Sequence, residues 1–202
     1  KDWQFTNVEI ELTTVIRALL ADERRTFSEV EMKFFSMWWE KQDEELKEKV
    51  RGLVKNGQLE LINGGWSMHD EACPTYTDMI TNMMKGHDFL LKEFGVKPRI
   101  GWHVDPFGHS STNARLFSDM GFDAFFYART DYQDKNKRSD EQSLEYLWYP
   151  SQNLENKDVN ILTHTLFEHY YSPGGFNFDM VDNDPMWIND KSSSDFNADQ
   201  RA

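Results

Sequence analysis

The sequence predicts an α/β fold: a mostly parallel β-sheet or barrel flanked by helices. Three observations predict it. Short apolar runs of strand type alternate with stripes at helical spacing, the order a parallel sheet with crossover helices requires. The transitions are punctuated by residues that close helices, Asn56-Gly57, Gly95 and Gly121. Carboxylates, histidines and an arginine follow the strand-like runs, where parallel α/β folds gather their ligand sites.

The elements follow in order. Thr6 and Glu9 have the spacing of a capping box, and Val8, Leu12, Val15, Ile16, Leu19 and Leu20 continue from it at helical spacing. Arg25 to Glu31 reads as a short strand. Phe35, Trp38, Trp39, Gln42, Leu46, Val50 and Leu53 form one further helical stripe, ended by Asn56-Gly57. Leu59 to Ile62 is a buried strand running into Asn63-Gly64-Gly65-Trp66. Tyr76, Met79, Ile80, Met83, Met84, His87, Leu90, Leu91 and Phe94 mark a third helix, closed by Gly95. Arg99 to Val104 is a strand that ends in Asp105-Pro106-Phe107-Gly108. Ser110 or Ser111 caps a helix through Leu116, Phe117 and Met120. Asp123–Ala128, Leu144–Tyr149 and Val159–His164 are three more strands. From Glu168 the periodicity fades, Pro173-Gly174-Gly175 and Asp179–Pro185 read as loops, and the tail from Asp190 is polar.

Composition excludes several function classes. The 202 residues suffice for one large domain or two small ones, and their 14% aromatic content excludes a disordered chain. A net charge of −13 argues against general nucleic-acid binding and against docking on anionic lipid. No run of about 18 apolar residues exists to cross a membrane. The single cysteine, Cys73, excludes an internal disulfide framework and a multi-cysteine zinc site, and no activating base is near it in sequence. The opening Lys1-Asp2-Trp3-Gln4-Phe5 has neither Met nor a basic segment leading into an apolar one, so the chain is expected to begin inside a longer protein. No fixed-period repeat and no glycine-rich phosphate loop appears.

The chemistry is expected at the strand ends. Leu59–Ile62 is followed by Trp66, His69, Asp70 and Glu71; Arg99–Val104 by Asp105, Phe107 and His109; Asp123–Ala128 by Arg129 and Asp131. The last strand carries His164, then Glu168, His169, Tyr170 and Tyr171. Such a rim suits a polyol or a sugar, because carboxylates grip hydroxyls and flat rings cover a pyranose face. Asp105 leaves a buried strand and precedes Pro106, which biases it away from helical geometry; His103, two residues earlier, faces the same side of the strand. A purely structural reading stays open for each residue. Asp105 can cap the next turn, His103 and His109 can be hydrogen-bonded core histidines, and Asp70-Glu71 can cap the following helix rather than act as an acid/base pair. Arg129 can fix a substrate or a catalytic carboxylate, or form a structural ion pair with Asp131 or Glu71. Trp38-Trp39 and the methionines from Met79 to Met84 read as core.

Trp102-His103-Val104-Asp105-Pro106-Phe107-Gly108-His109-Ser110 resembles the W-x-I-D-P-F-G-H-S signature of glycoside hydrolase family 38, the class II α-mannosidases. Phe34-Phe35-Ser36-Met37-Trp38-Trp39 is similar to the family's F-F-S-R-W-W, and Asn63-Gly64-Gly65-Trp66-Ser67-Met68-His69-Asp70-Glu71-Ala72 to its N-G-G-W-V-M-N-D-E-A. Met120-Gly121-Phe122-Asp123 and Arg129-Thr130-Asp131-Tyr132-Gln133-Asp134-Lys135 resemble the region after the signature, the latter in its lysosomal wording. The blocks keep the family's order over nearly the whole chain, weakening after Tyr171.

The resemblance implies a retaining, zinc-dependent exo-α-mannosidase that trims mannose from N-glycans in a lysosomal, vacuolar or secretory lumen. Its fold is the β/α barrel shared with deacetylase-like enzymes, incomplete in this chain. Residues 1–202 would be part of the N-terminal catalytic domain. Carried over, Asp105 is both nucleophile and zinc ligand, Arg129 contacts the nucleophile, Phe107 lines the pocket, and Tyr170, or Tyr171 if the loop alignment slips, is the active-site tyrosine. Zinc orients the terminal sugar rather than activating water. The chain departs from the family by lacking the H-x-H-D-D-type strand that supplies a His and an Asp to zinc, a later His ligand and a later acid/base Asp. The stretch Asn177–Val181 lacks the cysteine pair of lysosomal members. The chain is therefore expected to be an internal piece of the catalytic domain, inactive alone. Mannose-containing oligosaccharides and glycoproteins are the expected partners. A metal-dependent deacetylase-like enzyme and a non-catalytic glycan-binding module are the alternatives.

Overall fold

The structure, a computed structural model, describes residues 3–151, 159–167, 169 and 171, with side chains from residue 8 onward. The chain runs α1 (Trp3–Ala21), β1 (Phe27–Glu29), α2 (Met32–Trp39), α3 (Glu44–Lys55), β2 (Leu59–Leu61), α4 (Tyr76–Phe94), β3 (Ile100–His103), α5 (Ser111–Asp119), β4 (Ala124–Tyr127), α6 (Tyr132–Asp140), β5 (Glu145–Trp148) and β6 (Ile161–Thr165). Expectations for Tyr170, Glu168 and the segments from Pro173 onward lie outside the described residues.

Two sheets organise the fold. β1 and β2 pair in parallel, and a four-stranded sheet has the order β3-β4-β6-β5. β3, β4 and β6 are parallel, but β5 is antiparallel to β6, pairing Glu145 with His164 and Trp148 with Ile161. The sheets are thus mostly rather than wholly parallel, and among the described residues neither closes into a barrel. Asn63 joins them. Its backbone takes a left-handed φ of 55°, its N–H donates to Ile100 O at 2.6 Å, and its Oδ1 accepts from Trp102 N at 3.1 Å.

One core gathers between α1, α2, α3 and β2. Leu12, Ile16 and Leu19 recur on one face of α1, and Met32, Phe35, Trp38 and Trp39 do so on α2. The buried indoles have partners for their N–H groups: Trp38 donates to Thr13 Oγ1 at 3.0 Å and Trp39 to Glu93 Oε2 at 3.1 Å. A second core lies on one face of the larger sheet, where Phe125, Tyr127 and Ile161 pack with Ala114 and Phe117 of α5.

Three features of the helices differ from the sequence reading. α1 starts at Trp3, so Thr6 lies inside the helix and does not begin it. The stripe from Phe35 to Leu53 is two helices, because Asp43 takes an extended conformation and its side chain accepts from Leu46 N, starting α3 anew. The apolar spacing stays in phase across that break, which hides it from periodicity. α6 was not expected: it buries no residue and presents no apolar stripe, and Asp131 caps it by accepting from Gln133 N and Asp134 N. Thr75 and Asp78 form a capping box on α4 that the sequence reading does not single out; Gly95 closes that helix at φ 68°, as expected, and Ser110 rather than Ser111 caps α5.

Candidate active site

Strand register brings the first two site residues together. β3 and β4 are parallel with His103 opposite Tyr127. Asp105 and Arg129 each lie two residues past that pair, so the two loops deliver them side by side. Arg129 Nε and Nη2 both donate to Asp105 Oδ1, at 2.9 and 2.7 Å. The Asp105 side chain is half-exposed. The Arg129 guanidinium also lies 4.4 Å from the centroid of the Phe107 ring, which is 75% exposed. Asp105, Phe107 and Arg129 therefore share one rim.

Beneath that rim lies a cluster that sequence reasoning did not assemble. Glu71 is buried, and its Oε1 faces the Nδ1 atoms of His103 at 2.7 Å and His109 at 3.0 Å. Its Oε2 accepts from Ser110 N at 2.6 Å, so the same carboxylate holds the start of α5. Burial alone would push the Glu71 carboxyl up, but the bonds from His103, His109 and Ser110 outweigh it and hold it at about 2. Burial pushes His103 down to about 4, against the pull of Glu71. His103 is thus neutral at pH 7 and donates through Nδ1, which leaves its buried Nε2 without a hydrogen-bond partner among the described residues. Both nitrogens of His109 face oxygen atoms, Glu71 Oε1 at 3.0 Å on one side and Arg129 O at 2.9 Å on the other. The ring stacks on Tyr127 at 4.1 Å. His69 completes the cluster: its Nε2 is 2.8 Å from Asn113 Oδ1, and its ring meets His103 edge-on at 4.6 Å.

The structural alternatives sort accordingly. Glu71 does not cap α4, since Thr75 does. Asp70 accepts from Ala72 N at 2.7 Å, a local turn contact. Arg129 pairs with Asp105, and Asp131 is engaged at the start of α6. His164 pairs with Glu145 on the antiparallel neighbour at 2.6 Å. Cys73 is exposed. Tyr170 lies outside the described residues. The sequence places Glu71 after a strand-like run, beside Asp70 as a candidate acid/base or capping residue; its partners His103 and His109, 32 and 38 positions away, carry no such signal.

A cleft of about 670 Å³ opens beside the rim, lined by Phe107, Arg129, Asp131, Arg138, Tyr146 and Trp148 among others. The hydroxyls of Tyr127 and Tyr146 hydrogen-bond each other, and burial pushes the Tyr146 phenol above its ordinary range. Two places have metal-binding donor chemistry. The ligand atoms of Glu71, His103 and His109 lie within 4.8 Å of one another, but their facing atoms are engaged in a buried hydrogen-bonded knot. Asp105 is a half-exposed carboxylate at the rim, a hard oxygen donor of the kind zinc accepts beside nitrogen ligands.

Comparison with known proteins adds the following. The family model described as the N-terminal domain of glycosyl hydrolases family 38 matches residues 4–202. The chain is similar to the lysosomal α-mannosidase of Dictyostelium discoideum, 46% identical over 198 residues, covering 98% of this chain and 19% of that protein. It is similar to the lysosomal α-mannosidase of Homo sapiens, 42% identical over 199 residues, covering 98% of this chain and 20% of that protein. The chain thus spans about a fifth of the length of these relatives. Among solved structures, it resembles an α-mannosidase from Enterococcus faecalis V583, with a TM-score of 0.60 at 17% identity over 81% of this chain and 18% of the other. It also resembles the 4-α-glucanotransferase of Thermococcus litoralis, with a TM-score of 0.64 at 14% identity over 83% of this chain and 25% of the other. At such identities these two likenesses show the fold.

Proposed function

This chain belongs to glycosyl hydrolases family 38, through the family's N-terminal domain, and on that premise we propose that the full-length protein is a retaining, zinc-dependent exo-α-mannosidase acting on terminal α-linked mannose of N-glycans and oligosaccharides. Residues 1–202 are part of its catalytic domain, an incomplete β/α barrel. The observation that carries the reading is the Arg129–Asp105 pair at the carboxyl ends of adjacent parallel strands.

Asp105 is the nucleophile. Arg129 gives two N–H donors to one carboxylate oxygen, which fixes the plane of the attacking group. Attack on the anomeric carbon forms a glycosyl-enzyme ester as the leaving oxygen takes a proton from a second carboxylic acid. In a retaining site that acid lies about 5–5.5 Å from the nucleophile, and it then acts as base for water. Here the resemblance puts it beyond this chain. Phe107, exposed at the rim, offers a flat apolar face to the sugar ring, and the family resemblance makes Tyr170 a further substrate contact. Asp105 fits a zinc site as one oxygen ligand, the other ligands lying outside the chain. A bound zinc there supplies a fixed cation that holds hydroxyls of the terminal mannose. The lumen of the lysosome or vacuole is the proposed place of work, in keeping with relatives named lysosomal.

The test is hydrolysis of an aryl α-mannoside by the full-length protein, with the product's anomeric configuration followed by NMR. The expected result is turnover with retention, loss of activity to a chelator, and none in Asp105→Asn. Inversion, or an active Asp105→Asn, overturns the assignment.

A further inference from the structure

Resting on that reading of Asp105, we propose that Glu71 is a positioning residue for the nucleophile, its single buried carboxylate fixing the loop that carries Asp105 from both sides and fixing the backbone of Arg129 through His109. Three bonds define the role. His103 stands two residues before Asp105 on β3, and His109 and Ser110 stand four and five residues after it. All three bond Glu71, at 2.7, 3.0 and 2.6 Å. Between those anchors Asp105 is half-exposed and Phe107 75% exposed, while Pro106 is buried. A loop pinned at both ends to one charge has little freedom to tilt the carboxylate at its centre.

The second half of the argument is a closed circuit. His109 bonds Glu71 with one nitrogen and Arg129 O with the other, at 2.9 Å, and the Arg129 side chain returns to Asp105 at 2.7 Å. Glu71 therefore holds both partners of the nucleophile pair, although it comes from the β2–α4 connection, 34 positions before Asp105 in the sequence. Stacking on Tyr127 keeps the His109 ring plane in line with the end of β4. Nucleophilic attack depends on alignment within fractions of an ångström, so small slack in this circuit is felt in the chemical step more than in substrate binding.

The experiment uses the full-length protein with Glu71→Gln, His109→Asn and the double variant. Glu71→Gln keeps the shape and removes the charge that three donors share. The expected result is a fall in kcat on an aryl α-mannoside of about 10- to 100-fold with KM changed by less than about threefold. The double variant should be no worse than the more damaging single one, because both cut the same circuit. Amide hydrogen exchange in Glu71→Gln should rise in residues 104–110 and 129 but not in β1 or β2. If Glu71→Gln does not fold, His109→Asn decides by the same two measurements. Unchanged kcat with unchanged exchange at 104–110 overturns the proposal. A wild-type protein without α-mannosidase activity overturns the functional reading instead, and exchange at 104–110 then still decides whether Glu71 holds the loop.

Discussion

Arg129 meets Asp105 with two nitrogens converging on one oxygen while its guanidinium lies against Phe107. Lysine has one compact ammonium in place of the planar fork and cannot reproduce both contacts. Arg129→Lys in the full-length protein should therefore lose about 10-fold or more in kcat/KM; an unchanged value would show that charge alone suffices. The place of Asp105 and Arg129 at strand ends was legible in the sequence because each follows an apolar run, whereas their pairing was expected only through the family resemblance, since strand register is not written in local spacing. The Glu71 cluster was not legible. His103, His109 and Glu71 look like three unrelated polar residues until the β2–α4 connection folds under β3, and no spacing encodes a contact across 32 or 38 positions. Tyr127 and Tyr146 likewise meet only through a strand order that β5 enters from the opposite direction.

At the scale of elements, α4 docks on the Asn63–Trp66 turn at one point of very close approach. A Cβ added at Gly86 would lie 1.9 Å from Gly64 O, a backbone atom with no rotamer to escape into. Gly86→Ala should force α4 away from the turn at a cost of about 1–3 kcal/mol, read as a lowered Tm and as lost activity, since this turn leads into the connection bearing Glu71. An unaltered Tm would mean that the helix shifts freely. On β1, burial pushes Glu29 up to about 7. The unfolded chain releases that proton near pH 4.5, so between about pH 4.5 and 7 the folded state binds more protons, and stability from this group falls as pH rises through that window. Glu29→Gln keeps an acceptor for the local backbone without the charge. It should raise Tm at about pH 8 and leave it unchanged at about pH 4.5; equal Tm changes at both would show that Glu29 is not held neutral. The helices with apolar stripes were readable from period, whereas α6 was not, because its nine residues bury nothing and only the Asp131 cap announces it.

At the scale of the molecule, the larger sheet has two unequal faces. Phe125, Tyr127 and Ile161 are buried against α5, whereas Trp102 and Phe126 on the opposite side stack on each other only partly buried, and Leu162 beside them is half-exposed. Parallel sheets are ordinarily covered on both faces, and the sequence showed apolar strands without showing what lies against their second side. The catalytic parts are divided in the same way. On the proposed reading, the nucleophile pair and its support lie in this chain, while the resemblance puts the acid/base and the remaining zinc ligands beyond it. A lone carboxylate binds zinc weakly, because a working site needs several ligands in fixed geometry. Loss of the general acid alone typically removes about 10²–10⁴-fold in rate. The 202-residue chain by itself should therefore release no measurable phenol from an aryl α-mannoside, with or without added zinc, under conditions where the full-length protein turns over. Turnover by the short chain near the full-length rate would sink this division of labour, since Asp105 would then have its acid/base partner and metal ligands among these same residues, and the cleft from Arg129 to Trp148 would be the place to look for them.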